Sequence, residues 1–200
     1  MKKAEKHLRS QRKILDCALK EFSEKGYLLG SVNNICADGG ISKGNLYHYY
    51  SGKDELYLLC VKECFDRLTE YLEEHVSLEN HAEKVDSSVY FNQRALFFHK
   101  YPFYKHIFSE TLVDPPEHLR SELAKIRAGY DAFDRKVFNY YLEWVKVNPD
   151  ISKQQLLDIM KQFQNFMGAH YAKDNIDDND VEKYYQRAAT VLFYGLVARS

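Results

Sequence analysis

The chain has 200 residues, of which 45% are hydrophobic and 28% are charged, and its formal net charge is −1. These values are ordinary for a soluble globular protein, and they exclude a polycation that binds nucleic acid through its overall charge. The start, Met1-Lys2-Lys3, is like that of a signal peptide, but no apolar segment follows it, and no run approaches the roughly 18 apolar residues of a membrane span. We therefore expect a cytoplasmic protein without a membrane segment.

The chain has only four prolines and nine glycines, and no run of alternating β-branched residues predicts a sheet. Apolar residues recur at helical spacing along most of its length, so we predict an all-α fold of about nine helices. Ser31 and Ser42 are suited to cap the second and third helices, and Gly26 is suited to end the first. In chain order, the predicted helices cover 8–26, 32–38, 43–50, 53–76, 85–100, 103–112, 117–147, 153–173 and 181–199.

The segment 31–56 is the most informative part of the sequence. It predicts two short helices joined by a tight turn, in which Gly39-Gly40 end the first helix and Ile41 fills the turn. The second of these, 43–50, is short and rich in hydrogen-bond donors and aromatic hydroxyls. Such a helix suits the major groove of DNA better than a protein core, which indicates a DNA-binding regulator.

Positive charge is concentrated near this segment. Residues 1–56 contain 10 Lys and Arg against 7 Asp and Glu, whereas residues 57–200 contain 18 against 22. Within 1–13, six cations accompany a single acid, Glu5. A basic arm before a candidate DNA-reading helix favours contact with phosphates.

A dense and specific set of motifs lies within about residues 8–60. Its members are Ile14-Leu15-Asp16, Ala18, Phe22, Lys25-Gly26-Tyr27, Ser31-Val32, Ile35-Cys36, Gly40-Ile41-Ser42-Lys43-Gly44, Leu46-Tyr47, Tyr49-Tyr50, Lys53 and Leu56. On these motifs the sequence resembles the TetR (tetracycline-repressor-like) family of bacterial transcriptional regulators; beyond them only helix order and length match. Mild departures are Cys36 and Gly39, where the family usually has alanine, and Tyr50, where it usually has phenylalanine.

The resemblance implies a helix-turn-helix DNA-binding domain over 1–52 and a helical effector-binding and dimerisation domain over 53–200. It also implies that the third helix reads base edges in the major groove, while flanking hydroxyls and an ammonium contact phosphates. The implied DNA-binding residues are Ser31, Asn33, Lys43, Gly44, Asn45, Tyr47, His48, Tyr49 and Lys53. Leu46, Ile35, Ile41 and Tyr50 are expected in the core instead.

One short helix reads few base pairs, so we expect a homodimer on a roughly palindromic operator. Two apolar stripes near the C-terminus are suited to form a four-helix interface across a dyad. The expected interface residues are Leu156, Met160, Phe163, Met167, Val191, Leu192 and Gly195.

The chain contains 16 Tyr, 12 Phe and one Trp, most of them after residue 85. Many tyrosines in a helical core give apolar walls with hydroxyls at intervals, which suits a pocket for a partly aromatic small-molecule effector. The resemblance implies such a pocket among the fourth to eighth helices. The expected lining residues are Phe98, Tyr104, Phe108, Tyr130, Phe133 and His170.

The composition and motifs also bear on two other classes of function. A helical ligand- or protein-binding module without DNA binding is consistent with the near-neutral overall charge. An enzyme is disfavoured, because no glycine-rich phosphate loop, serine elbow or HExxH motif occurs. We expect no cofactor and no metal site, and the four cysteines, which lack zinc-type spacing, are expected to be buried apolar residues.

Overall fold

A computed structural model describes residues 2–78, 88–144 and 149–173, with side chains over 5–78, 89–144 and 149–163. Within these ranges the secondary structure is helical without strands, which confirms the all-α prediction. A short 3-10 turn, Glu117–Leu119, precedes the seventh helix. The helices are α1 Lys2–Leu29, α2 Val32–Gly39, α3 Lys43–Tyr49, α4 Lys53–His75, α5 Ser88–Lys100, α6 Phe103–Val113, α7 Arg120–Ile126, α8 Ala128–Glu143 and α9 Lys153–Lys173.

The first helix is longer than predicted and is interrupted at the predicted stop. Gly26 has φ 68° and ψ −177°, which breaks the α-helical backbone, and the Gly30 N–H then donates to the Gly26 carbonyl at 3.1 Å. Glycine reaches this positive φ without the steric cost that a Cβ imposes. The segment 27–29 is therefore a separate helical turn that leads into α2.

The single helix predicted over 117–147 is wrong, because the chain forms the 3-10 turn, α7 and α8 there. The interruption falls at Arg127, whose backbone (φ −81°, ψ −2°) departs from the helix while its N–H donates to the Leu123 carbonyl. Gly129 follows two positions later, but the apolar periodicity runs on through this segment and did not indicate the break. The helix predicted over 181–199 lies outside the described residues.

The chain divides into two compact units. Unit 1 comprises residues 1–65 and 102–127, and unit 2 comprises 66–101 and 128–200, so that α4 contributes to both. The sequence predicted a boundary at residue 52 between a DNA-binding domain and an effector-binding domain. That boundary is defined by function, and it stays a prediction.

Unit 1 has its own apolar core. Ile14, Phe22 and Leu46 are fully buried, and the ring of Phe22 packs edge-on against Tyr57 with centroids 5.2 Å apart. Full burial of each such side chain contributes about 1.5–3 kcal/mol. Unit 2 has a second core rich in aromatic residues, centred on Tyr90, Phe97 and Val137.

The cysteines in the described structure are free, and three of them are buried as expected. Burial raises the pKa of the Cys60 and Cys64 thiols well above the ordinary value. Since the thiolate is the reactive form, these two residues act as small apolar side chains. No helix in the described part of the chain has the length and apolar character needed to cross a membrane.

Candidate DNA-binding site

The start of α2 is held by its predicted cap. Ser31 is extended (φ −135°, ψ 127°), and its hydroxyl accepts the Asn33 N–H at 3.2 Å. Ser31 is half-buried and Asn33 is exposed, while Ile35 and Cys36 turn into the core. The geometry leaves Asn33 on the outer surface at the first turn of the helix.

A buried carboxylate in α1 also anchors this helix start. Glu21 is only 5% exposed, and its Oε1 accepts the Ser31 N–H at 3.0 Å and the Asn34 side chain at 2.8 Å. Lys25 donates to both carboxylate oxygens. Burial opposes ionisation of Glu21, but the hydrogen bonds from Asn34, Lys25 and Ser31 outweigh it and lower the pKa of the carboxyl. The sequence reasoning missed this residue.

The turn between α2 and α3 explains the unusual Gly39. Gly40 adopts the left-handed conformation (φ 56°, ψ 38°), and the Ile41 N–H donates to the Cys36 carbonyl at 2.8 Å, a common helix ending. A Cβ at Gly39 would clash with Ile41 Cδ1 and would stand 3.0 Å from Cys17 Sγ. Glycine at position 39 therefore makes room for the Ile41 side chain that fills the turn.

The third helix, α3, turns almost its whole surface outward. The Ser42 hydroxyl caps it by accepting the Asn45 N–H at 3.2 Å, and Leu46 is its one fully buried side chain. Lys43, Gly44 and Asn45 are exposed, and a Cβ placed on Gly44 would meet nothing within 4 Å. A short capped helix with an open outer face has the form needed to enter a DNA groove.

The aromatic residues of α3 divide between surface and core. Tyr47 is 54% exposed and His48 is exposed, whereas Tyr49 is half-buried. Tyr50 is buried and its hydroxyl donates to the Gln11 carbonyl at 3.1 Å, so it lies in the core as expected. Sequence reasoning missed His7 of α1, whose ring lies against Tyr49.

Lys53 is the first residue of α4, and two contacts hold its side chain. Its ammonium donates to the Leu28 carbonyl at 3.2 Å and lies 4.4 Å from the centroid of the Tyr27 ring. The Tyr27 hydroxyl in turn donates to Asp54 at 2.6 Å, and burial together with that hydrogen bond raises its pKa to about 12. These contacts hold the Lys53 charge at the end of the loop that follows α3.

The basic arm is not uniformly available to DNA. Arg12 donates to both oxygens of Glu63 at 2.6 and 3.1 Å and to Asp16 at 2.7 Å. Hydrogen bonding to Glu63, partly opposed by burial, raises the pKa of Arg12 further above its ordinary value. Lys6, Arg9 and Lys13 are exposed on the same helix. Arg12 is therefore a structural link to α4, and the exposed cations are the remaining candidates for phosphate contact.

The expected effector residues fall in both units. In unit 1, Tyr104 is buried and donates its hydroxyl proton to Glu63 at 2.6 Å, and Phe108 packs on Phe65 with ring centroids 5.3 Å apart. In unit 2, Phe133 is buried and Phe98 is half-buried. The side chain of His170 lies outside the described residues.

Tyr130, also an expected effector residue, belongs to a buried polar cluster in unit 2. The Tyr90 hydroxyl lies 3.0 Å from that of Tyr130 and donates to Asp134 at 2.5 Å, and Arg94 donates to Tyr130 at 3.3 Å. All four side chains are at most 6% exposed. Charges this deep in a core need such partners, because an unpaired buried charge costs several kcal/mol. The cluster was not predicted.

Two of the expected interface residues are buried within the chain itself. Leu156 is 4% and Met160 is 2% exposed, whereas Phe163 is half-buried and Ile159, on the same helix, is 37% exposed. Met167, Val191, Leu192 and Gly195 lie where no side chain is described. In the described parts of the chain, no three His, Cys, Asp or Glu side chains converge to hold a metal ion.

Residues 14–60 match the family described as bacterial regulatory proteins, tetR family. These residues contain α2, α3 and the side chains that position them. The match therefore covers the helix-turn-helix of α2 and α3 and most of α1, apart from the first turns of that helix.

Two curated relatives each match about a third of this chain. The biofilm operon icaADBC HTH-type negative transcriptional regulator IcaR of Staphylococcus epidermidis is 38% identical over 69 residues, which is 34% of this chain and 35% of that protein. IcaR of Staphylococcus aureus is 41% identical over 56 residues, which is 28% of this chain and 30% of that protein. The chain thus spans about a third of the length of the curated relatives it matches.

Solved structures match over nearly the full length. The transcriptional regulator FadR of Bacillus subtilis, in complex with stearoyl-CoA, has a TM-score of 0.72 at 16% identity and covers 92% of this chain and 98% of its own. The fatty acid degradation regulator FadR of Bacillus halodurans has a TM-score of 0.71 at 14% identity. The match covers 93% of this chain and 99% of that one. At such identities the likeness extends to the fold alone.

Proposed function

Since this chain belongs to the tetR family of bacterial regulatory proteins, we propose that it binds operator DNA through α3 and regulates transcription. The observation that carries the proposal is the outer face of that helix. Lys43, Gly44, Asn45 and His48 are all exposed there, with Leu46 alone fully buried beneath them. A helix whose donors have so little protein to contact is suited to base edges and phosphates.

The residues take distinct roles in this proposal. Lys43 and Asn45 are the base-reading side chains, because Lys suits guanine O6 and N7, and Asn suits adenine N6 and N7. Gly44 permits close approach of the backbone to DNA. Hydroxyls and an ammonium bind phosphates without reading sequence. The residues in that role are Tyr47, Tyr49 and Lys53, while the Ser31 hydroxyl and the Asn33 amide add a contact to a phosphate or a base.

We further propose that the active form is a cytoplasmic homodimer on a palindromic operator, with 1–52 as its DNA-binding domain and 53–200 as its effector-binding and dimerisation domain. Two recognition helices related by a two-fold axis contact half-sites about 34–36 Å apart or a multiple of that distance. The exposed Ile159 and half-buried Phe163 of α9 support an interface on that helix. Sedimentation of the purified chain tests this part.

Repression is the proposed sign of regulation, because the IcaR relatives are described as negative regulators. A small hydrophobic or aromatic effector is proposed to release the DNA, supported by the aromatic core of unit 2 and by the stearoyl-CoA bound to the FadR neighbour. Because α4 begins beside α3 and continues into unit 2, an effector that moves it would alter the spacing of the reading helices. The effector shifts this equilibrium only by its differential affinity for the two states.

The decisive experiment measures DNA binding against salt. Duplexes recovered by the purified chain from fragments of its genome are titrated by fluorescence anisotropy at 50 and 200 mM salt. Neutralisation of six or more phosphates predicts a loss of about a thousandfold in affinity. Lys43→Gln is expected to weaken DNA binding. The control is Lys136→Gln, which also removes one positive charge from an exposed position, on α8, and is expected to leave DNA binding unchanged.

Absence of any salt-dependent DNA binding would favour the other candidate, a helical module that binds a ligand or a protein. A gel-shift titration with candidate effectors tests the switch separately. If ligands bind the chain without altering its affinity for the duplex, the proposed release mechanism is wrong even where DNA binding stands.

A further inference from the structure

His7, in the second turn of α1, is paired with a proposed phosphate-binding residue of α3. Its Nδ1 lies 3.2 Å from the Tyr49 hydroxyl, and the two rings meet edge-on with centroids 4.5 Å apart. The pair joins residues 42 positions apart. The first turns of α1 therefore lie beside the recognition helix and add a side chain to its surface.

A second imidazole completes the cluster. The His48 ring lies 5.8 Å from that of His7 and 4.9 Å from that of Tyr49. The titratable groups of α3 in contact with His7 are thus His48 and Tyr49. Among the described side chains of its own helix, the exposed ionisable residues within two positions of His7 are Glu5, Lys6 and Arg9.

The tautomer and the protonation state of His7 together decide which atom donates in the His7–Tyr49 hydrogen bond. A neutral imidazole with a free Nδ1 lone pair accepts the Tyr49 hydroxyl hydrogen, which is then unavailable to DNA. An imidazolium has a hydrogen on Nδ1 and donates it to the Tyr49 oxygen. The hydroxyl hydrogen of Tyr49 is then released and can be donated to a phosphate oxygen. In this exchange His7 takes up one proton, and the N–H bond on Nδ1 is the only covalent bond that forms.

We propose that His7 is a positioning residue of the DNA interface, which in its protonated form turns the Tyr49 hydroxyl toward a backbone phosphate, so that DNA binding takes up a proton. The inference rests on the proposed DNA-binding function. Histidine is the side chain whose charge changes between pH 5 and 8, and a neighbouring polyanion favours its charged form. Affinity for DNA therefore rises as the pH falls.

The test compares affinities for one duplex, recovered by the wild-type chain from random sequences, at pH 8 and pH 6 and constant salt. Wild type is expected to bind about fivefold more tightly at pH 6, within the tenfold per pH unit that one linked proton allows. His7→Asn retains a hydrogen-bonding side chain that cannot titrate, so the gain should shrink. Tyr49→Phe, which lacks the hydroxyl, should shrink it as well.

His75 provides a matched control on α4. Its Nδ1 lies 2.7 Å from the Tyr71 carbonyl oxygen and its ring stacks on Tyr71 at 4.0 Å, so it is also an exposed histidine against a tyrosine. His75→Asn is expected to retain the full wild-type gain. This variant separates the effect of His7 from any general effect of losing an imidazole.

The outcomes separate the two proposals. If wild type binds the duplex but His7→Asn or Tyr49→Phe keeps the full pH-dependent gain, the role of His7 is overturned and DNA binding stands. A loss of affinity in His7→Asn that is equal at both pH values marks a merely structural contact and also overturns it. If wild type recovers no duplex even at low salt and pH 6, both proposals fail.

Discussion

The carboxylate of Glu110, in α6, accepts the backbone N–H of Tyr27 at 2.8 and 3.0 Å, directly after the residue that breaks α1. The same carboxylate accepts the Tyr57 hydroxyl of α4 at 2.8 Å. Burial and the Glu110 charge raise the pKa of Tyr57, which keeps that hydroxyl a donor. One acid of α6 thus links the break in α1 to the helix that follows α3.

Gly26→Ala is expected to destabilise the chain by about 2 kcal/mol, because alanine is strained at a φ of 68°. Its Cβ would also stand 2.7 Å from Glu110 Oε1 and disturb the hydrogen bonds to Tyr27. Urea denaturation followed by circular dichroism measures the change. Gly129→Ala is the control, since its Cβ meets nothing within 4 Å, and alanine raises helix propensity by up to about 1 kcal/mol. Equal unfolding midpoints for the two variants would contradict this account of Gly26.

Glu21→Gln is expected to lower the free energy of unfolding by about 1–3 kcal/mol at neutral pH. The variant loses the charged acceptor of the Ser31 N–H, Asn34 and Lys25. The folded-state pKa of Glu21 is lowered, so its contribution is present above the pKa of an unfolded glutamate and is lost as the pH falls through the folded value. The stability difference between variant and wild type should therefore narrow in acid.

The matched control for that experiment is Glu24→Gln, which removes an exposed carboxylate from the same helix. It is expected to change the free energy of unfolding by no more than about 0.5 kcal/mol. A Glu21→Gln difference that persists unchanged into acid would mean that the carboxylate charge is not what holds the start of α2.

The sequence predicted those features of the site that depend on local pattern. The caps Ser31 and Ser42, the core positions Leu46 and Tyr50 and the outward face of α3 follow from spacing and family motif, and the structure places them accordingly. Contacts between distant parts of the chain had no such signal. Glu110 reaches Tyr27 across 83 positions, and a lone glutamate in an amphipathic helix is otherwise an ordinary surface residue.

Gly44→Ala is expected to separate stability from DNA binding. The position is exposed and helical with open space around its Cβ, so alanine should leave the fold intact or stabilise it by up to about 1 kcal/mol. The added methyl would stand between the helix backbone and the DNA, so affinity should fall by about tenfold or more, the scale of one lost contact. Anisotropy titration beside urea denaturation measures both; a stable variant with wild-type affinity would exclude Gly44 from the interface.

Tyr90→Phe tests whether the buried cluster of unit 2 is held by its hydrogen bonds. Tyr90 is fully buried, and burial raises the pKa of its hydroxyl well above the ordinary value, so it remains a donor to Asp134. Loss of that donor leaves a buried carboxylate less well satisfied, with an expected cost of about 1–3 kcal/mol. Tyr47→Phe, at an exposed position, should cost almost nothing.

A double-mutant cycle measures how much the hydrogen bond between Tyr90 and Asp134 contributes to the free energy of unfolding. Asp134→Asn alone is expected to destabilise the chain, because the buried cluster that contains Arg94 then loses a negative charge. Once the carboxylate has become an amide, removal of the Tyr90 hydroxyl should cost less, since the charge-assisted hydrogen bond is already gone. Strict additivity of the two changes in the free energy of unfolding would show that the 2.5 Å contact between Tyr90 and Asp134 contributes nothing of its own to the stability of this core.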